Sequence, residues 1–526
     1  MSTVSDNSTT APSHEPIPGL GPIVFAVFAA AMAGLLFGYD TGVASGIQGY
    51  LQSYFHLTDA QLGFVIASLD LGCIVGAMMA GTLADRFGRK KILILCAILF
   101  AISGIFSAIP RDITELVLAR ILGGLAVGAS SMIAPVYIAE ISPEKHRGRF
   151  GSLFQLGIVV GIAVVYWVNY LILNAGHHIS AEHHMAGMDW NQTMGWRWML
   201  GSETLPALVF LVMLLTIKES PRWLIINDRE VEARTILTRF RGTAWADREI
   251  AAVKEVANQE EGRLRELFRK SFRFPLLIAV FLAVFSQFSG INSIIYYAPR
   301  VFGAAGMHTS NAFGATAFIG MVLVLFTFIA VACVDRAGRK LLLTVGTAIQ
   351  AMALASVGMV FAMAPKAQAI KVHDSLQFQG TLSNASFAAV ARLAHSPIIM
   401  VPHFSSFQIS ILLLSILVFI AAFSMAMGPI PWIIISEIFP ARIRGRAASL
   451  GVLTLWAAIF VVAQTFPVLK ASVGLTVTYF IYSGCSFLSF LFAALVLPET
   501  KGTSLEQIEK YWHDRLVIQD TLDMEH

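Results

Sequence analysis

Long apolar runs recur along the chain, each close to the ~20 residues that an α-helix needs to cross a hydrocarbon layer, and about twelve can be counted. They lie at roughly 20–48, 62–84, 91–109, 114–139, 149–174 and 197–217, then at roughly 273–298, 310–333, 341–364, 408–436, 447–469 and 473–497. Six precede a charged stretch, Lys218 to Lys270, and six follow it. The pattern predicts an all-α membrane protein with twelve transmembrane helices. Many runs hold Gly and Pro, which neighbouring helices tolerate in a membrane.

The polar gaps between the runs repeat. Asp-Arg-Phe-Gly-Arg-Lys at Asp85 to Lys90 returns as Asp-Arg-Ala-Gly-Arg-Lys at Asp335 to Lys340. Glu140 precedes Arg147 by seven positions in one later gap, as Glu437 precedes Arg444 in another. Like charge blocks at like places indicate an internal duplication: two pseudo-symmetric six-helix bundles with a site between them, the plan of alternating-access carriers.

Composition agrees with a bilayer. The 526 residues are 56% hydrophobic and 13% charged, against about a quarter charged in soluble domains. The net charge of +4 says little, but its distribution says more. Lys and Arg gather in alternate gaps, while 49–61 and 175–196 have none. By the positive-inside rule both termini and the central charged stretch are expected in the cytoplasm.

Residues 1–18, rich in Ser and Thr with Pro12, Pro16 and Pro18, read as a disordered cytoplasmic tail without the features of a signal peptide. The first bundle is expected over 19–217 and the second over 273–497, with a cytoplasmic tail at 498–526. In the linker, 218–272, spaced apolar residues at Glu230 to Arg241 and Asp247 to Gln259 predict short amphipathic helices, the alternative being a solvated connection. The long outer stretch near 365–406 is either a small cap or disordered.

His177, His178, His183 and His184 fall in an outer loop and, with no Cys or carboxylate at ligand spacing, read as polar surface. Asn191 and Asn384 head glycosylation sequons. Cys73, Cys96, Cys333 and Cys485 sit inside apolar runs with no paired spacing, so packing is their expected role.

Three ionisable residues lie inside apolar runs: Asp40 in the first, Arg120 in the fourth and Glu203 in the sixth. At about 1.5 Å per residue all three reach one depth and can meet. A charge in mid-membrane costs about 2.5 to 3.5 kcal/mol even on insertion scales, so it normally faces a partner or a water path and marks function. Asp40 is the expected proton site and Arg120 its switchable partner, with Glu203 tuning the pair. A low dielectric favours a neutral carboxyl and a nearby guanidinium favours the ionised one, so moving Arg120 changes the proton affinity. The alternative is a permanent ion pair that fixes packing. Asp70, in the second run, is a further buried carboxylate without an assigned role.

The motifs together resemble the sugar porter family of the major facilitator superfamily. The matching blocks are Gly34-Leu-Leu-Phe-Gly-Tyr-Asp40, Asp85-Arg-Phe-Gly-Arg89, Arg120-Ile-Leu-Gly-Gly124, Glu140 to Gly148, Glu219-Ser-Pro-Arg-Trp-Leu224, Gln287-Phe-Ser-Gly-Ile-Asn292, Gly428-Pro-Ile-Pro-Trp432, Glu437 to Gly445 and Pro498-Glu-Thr-Lys-Gly502. They span nearly the whole chain, and within the family they are most similar to bacterial xylose-proton symporters and mammalian glucose facilitators. The resemblance implies the two-bundle fold of the superfamily and proton-coupled import of a monosaccharide, since proton-coupled members typically carry Asp at the Asp40 position.

A sugar ring needs neutral hydrogen-bonding groups around its hydroxyls and a flat apolar surface for its body. The resemblance implies that Gln155, Gln287, Asn292 and Trp432 bind it, that Trp456 forms an aromatic wall, and that Phe37, Tyr296 and Tyr297 line the cavity or its outer gate. Read alone, the aromatics are equally packing residues and the amides interhelical glue. Ser286 and Leu455 stand where the most similar members carry amides, which points to a different sugar or weaker binding.

The resemblance also implies a cytoplasmic gate in which Glu140, Glu219, Glu437 and Glu499 meet Arg86, Arg147, Arg222, Arg336 and Arg444 through carboxylate–guanidinium forks. The arginines alone would serve to set topology. No nucleotide loop, metal set or catalytic triad is present, so no enzyme activity, metal or cofactor is expected. Expected partners are a monosaccharide, the proton and the lipid bilayer, with no nucleic acid and a monomer as the working unit. A proton-independent facilitator is the alternative, and a sugar sensor a lesser one because few residues follow Pro498.

Overall fold

The computed structural model describes residues 21–143, 146–182, 189–257, 264–268, 272–364, 368–371, 398–401, 404–439 and 441–499. Among them, eleven helices are long and apolar enough to cross a membrane. The last of these, Arg446–Leu495, passes through a non-helical Gly474 with φ 80° and ψ 167°, where one span ends and the next begins. The count is therefore twelve.

The first six spans are Gly21–Tyr54, Asp59–Phe87, Arg89–Ala108, Ile113–Ile141, Arg147–Glu182 and Asn191–Thr216. The seventh to tenth are Arg273–Ile295, Thr309–Ala337, Arg339–Ala362 and Ser406–Ile434, followed by the pair that meets at Gly474. Several run beyond the apolar windows because their ends are capped by polar residues. Thr58 accepts the Gln61 N–H at 3.3 Å while Gln61 accepts the Thr58 N–H at 2.9 Å, and Ser405 and Gln408 repeat this reciprocal cap on the tenth span. The seventh span turns at Gly290, whose φ of 83° suits a residue without Cβ.

Two loop expectations are corrected. His177 and His178 lie within the fifth helix, which continues to Glu182, while His183 and His184 fall outside the described residues. Asn191 is buried with its Nδ2 donating to the Leu173 carbonyl at 3.1 Å, so its sequon is unavailable in this fold. In the long connection near 365–406, Gln368–Lys371 pairs antiparallel with Ile398–Val401, a small two-stranded addition to the helical fold.

The first span packs on the fifth and the second on the fourth. Between the halves, the second span meets the eleventh, where Gln464 Nε2 donates to the Ala60 carbonyl at 3.1 Å. The fifth meets the eighth, where Ser310 and Asn174 side chains lie 3.1 Å apart. One face of the molecule carries the repeated basic gaps and is called here the basic face; the opposite one is the far face.

Under the basic face lie three short helices, Pro221–Ile226, Glu230–Arg241 and Thr243–Ala257, around a small core that includes Trp223, Leu237 and Ile250. The second and third are tied by Lys254 to Glu230 at 2.5 Å and by Arg234 to Glu230 and Asp247. Hydrogen bonds from Lys254 and Arg234 hold the Glu230 carboxyl below its usual range.

Candidate functional site

Asp40, Arg120 and Glu203 come from three different helices, and each is 2% exposed. Arg120 Nη1 lies 3.6 Å from Asp40 Oδ1, an ion pair longer than a good hydrogen bond. Asp40 Oδ2, Arg120 Nε and Glu203 Oε1 have no hydrogen-bond partner. Glu203 sits at the break between Trp196–Gly201 and Thr204–Thr216, close enough for the charges of Asp40 and Arg120 to act on it. The same break is held by Tyr39 Oη and Ser202 Oγ at 2.7 Å.

Gly123 explains part of the Arg-Ile-Leu-Gly-Gly motif. A Cβ built there would meet Ser103 Oγ and Asp40 Oδ2, so the glycine leaves room for the carboxylate one turn from Arg120. One guanidinium can neutralise the charge of only one of two buried carboxylates.

On the seventh span, Asn292 Nδ2 donates to Gln287 Oε1 at 2.8 Å and Gln287 Nε2 donates to Ser286 Oγ at 3.1 Å. The departure at Ser286 thus leaves a hydroxyl that orients Gln287. Trp456, 2% exposed, lies against Phe37 with ring centroids 5.1 Å apart, across the two bundles. Gln155 is half-buried, and Trp432, two residues into Ile430–Glu437, is 39% exposed. Tyr296 and Tyr297 are buried, the latter donating from Oη to the Ala463 carbonyl at 3.2 Å.

Apart from Tyr296, expected at the cavity or outer gate, the far face is closed by groups that the sequence reading did not single out. Gln48 Nε2 donates to the Tyr296 carbonyl at 2.5 Å, and Tyr166 Oη to the Ile295 carbonyl at 2.7 Å. Arg300 donates to Gln52, which in turn donates to Asp59 at 3.2 Å. Apolar side chains of both halves, among them Ile47, Leu62, Ile66, Ile294, Val301 and Phe302, form one continuous core there. Gln48 and Gln52 are amides one helical turn apart at the end of an apolar run, but neither falls on a position that the resemblance marked, as Gln287 and Asn292 do.

On the basic face the expected gate residues divide. Glu219 accepts the Lys90 backbone N–H at 3.0 and 3.2 Å, and Glu499 accepts those of Arg339 and Lys340 at 3.1 Å. These carboxylates cap the third and ninth spans of their own bundles, beside Gly88 (φ 101°) and Gly338 (φ 90°). Glu140 pairs with Arg89 at 3.2 Å, a residue of the repeated hexapeptide that the reading had not placed in the gate. Arg222 and Glu140 line a cavity of about 250 Å³ with Trp245 and Glu249. Arg86 lies 5.2 Å over the Phe87 ring, and Arg336 is exposed. The side chains of Arg147, Glu437 and Arg444 lie outside the described residues.

Residues 26–512 match the family model described as sugar (and other) transporter. The chain is 37% identical over 494 residues to the arabinose-proton symporter of Bacillus subtilis (strain 168), covering 94% of this chain and 96% of that protein. It is 34% identical over 518 residues to the D-xylose-proton symporter of Escherichia coli (strain K12), covering 92% and 94%. Among solved structures it is similar to the inward open conformation of the xylose transporter XylE from E. coli, with a TM-score of 0.73, 33% identity and coverage of 93% and 100%.

Proposed function

The chain belongs to the sugar transporter family, and from that membership we propose that it imports a monosaccharide, a pentose or hexose, together with protons by alternating access of its two bundles. One observation carries the reading: a carboxylate and a guanidinium, Asp40 and Arg120, meet at 3.6 Å inside the first bundle with polar atoms left unpartnered. A permanent structural pair would be expected to use its hydrogen-bonding capacity, whereas an exchangeable one keeps some open.

The basic face is read as cytoplasmic, and the closed far face as external. With the outer seal in place and Trp432 exposed, the geometry suits the inward-facing half of the cycle. Opening outward parts the bundles at the Gln48–Tyr296 and Tyr166–Ile295 contacts. The sugar then binds among Gln155, Gln287, Asn292 and Trp432, with Phe37 and Trp456 as its apolar wall and Tyr296 and Tyr297 at its outer edge. Asp40 takes a proton when Arg120 turns to Glu203, and returns it inside when Arg120 comes back.

The basic-face acids and arginines hold the outward-facing form shut. Glu140 with Arg89 and Arg222 is formed within the first bundle and its linker and stays in place here, so the contacts that part between bundles on inward opening fall to Arg86, Arg147, Arg336, Glu437 and Arg444. Both bundles and the whole site lie in one chain, which supports a working monomer in the bilayer. Uptake of labelled arabinose, xylose, galactose and glucose into proteoliposomes tests the reading. Accumulation of one of them under an inward proton gradient, abolished by a protonophore, is expected; equilibration regardless of the gradient would make the protein a facilitator.

A further inference from the structure

Asp70 belongs to no part of the cycle just described, yet it is fully buried, with neither carboxyl oxygen in a well-formed hydrogen bond and the Tyr296 side chain as the one donor that bears on it. It is held where the second and fourth spans press closest, since a Cβ at Gly72 would strike the Ile121 carbonyl and one at Gly124 the Leu69 carbonyl. A side chain at such a crossing cannot swing out to water while the bundle is intact. The groups whose charges reach it are Arg120 from the fourth span, Asp40 from the first, Tyr296 and Tyr297 from the seventh, and Cys73 one turn along its own helix. The tyrosines and the cysteine bring no positive charge. Arg120 therefore stands alone among three buried acids, Asp40, Asp70 and Glu203, and could balance one.

The seventh span belongs to the opposite bundle, and Tyr296 is clamped through its carbonyl to Gln48 in the far-face seal. Asp70 thus faces the seam that opens when the bundles part outward. An ionised carboxylate enclosed there, with the neutral Tyr296 phenol as its donor and Arg120 shared with two other acids, would oppose closure.

We infer that Asp70 is a second proton-binding site: it takes a proton from water on the far side, and only the neutral acid lets the two halves seal against Tyr296. This rests on the transport reading but is separate from the proton carried by Asp40. The sign is fixed by the chemistry. Raising far-side pH leaves Asp70 ionised in the open form, so closure and every step that needs it slow down.

Sugar exchange isolates this step, because counterflow needs opening and closing but no net proton movement. The experiment uses the Asp40→Asn protein in proteoliposomes, with whichever labelled sugar the uptake panel identifies. Exchange should fall several-fold as far-side pH is raised, and the fall should vanish in Asp40→Asn/Asp70→Asn. Exchange by Asp40→Asn that ignores far-side pH, or a double variant that keeps the same fall, would overturn the assignment. Infrared spectra of Asp40→Asn protein labelled with 13C-aspartate give a readout that does not depend on the double variant folding. A protonated aspartic acid band at neutral pH is expected in the sealed form, separable from Glu203 by the isotope shift, and its absence would overturn the assignment. Failure of the symport reading is recognised independently, by wild-type uptake that ignores the proton gradient.

Discussion

At the scale of single residues, the account rests on where charge is enclosed. Asp40 shares its surroundings with Gly123, and a methyl group added there must displace either Ser103 or the carboxylate. Gly123→Ala is expected to lower proton-driven accumulation several-fold while the purified protein keeps its helical content. Unchanged accumulation would show that the carboxylate has more freedom than the packing allows. Asp40, Arg120 and Glu203 were legible in the sequence because a charge inside an apolar run is costly enough to stand out. Gln48 and Tyr166 were not, since an amide or a tyrosine costs little in such a run and its bond to a backbone carbonyl across the bundles exists only once the fold is formed.

At the scale of elements, the apolar windows located the spans but not their ends, which polar caps such as Thr58 with Gln61 decide. The duplication extends to caps that the motifs only hinted at. Glu219 seals the N-terminus of the third span and Glu499 that of the ninth, both beside a glycine of positive φ in the repeated hexapeptide. An anion at such a helix N-terminus contributes about 0.3–1 kcal/mol. Glu219→Gln and Glu499→Gln are each expected to lower the melting temperature in detergent by a few degrees, because a neutral amide loses the attraction of the helix dipole. An altered transport rate with an unchanged melting temperature would instead make these acids gate residues, as the family resemblance had suggested. The divided basic face was unreadable from sequence because Arg and Glu spacing cannot tell a cap within one bundle from a bridge between two.

At the scale of the whole molecule, the two-bundle plan was plain from the repeats, whereas the state it adopts was not. Closure of the far face depends on a few inter-bundle hydrogen bonds laid over a shared apolar core. Losing one should shift the balance by about 0.5–1.5 kcal/mol, roughly two- to twelvefold in population. Gln48→Ala is therefore expected to raise the outward-open fraction, seen as a longer distance between spin labels on the far ends of the first and seventh spans. An unchanged distance distribution would assign closure to the apolar core alone.

Proton coupling through Asp40 is the claim on which the transport account turns. The most direct measurement compares Asp40→Asn with the wild type in the same proteoliposomes, recording both sugar accumulation under an inward proton gradient and sugar exchange without one. The account predicts that the variant exchanges sugar but no longer accumulates it. Accumulation by the Asp40→Asn protein at the wild-type level would contradict it.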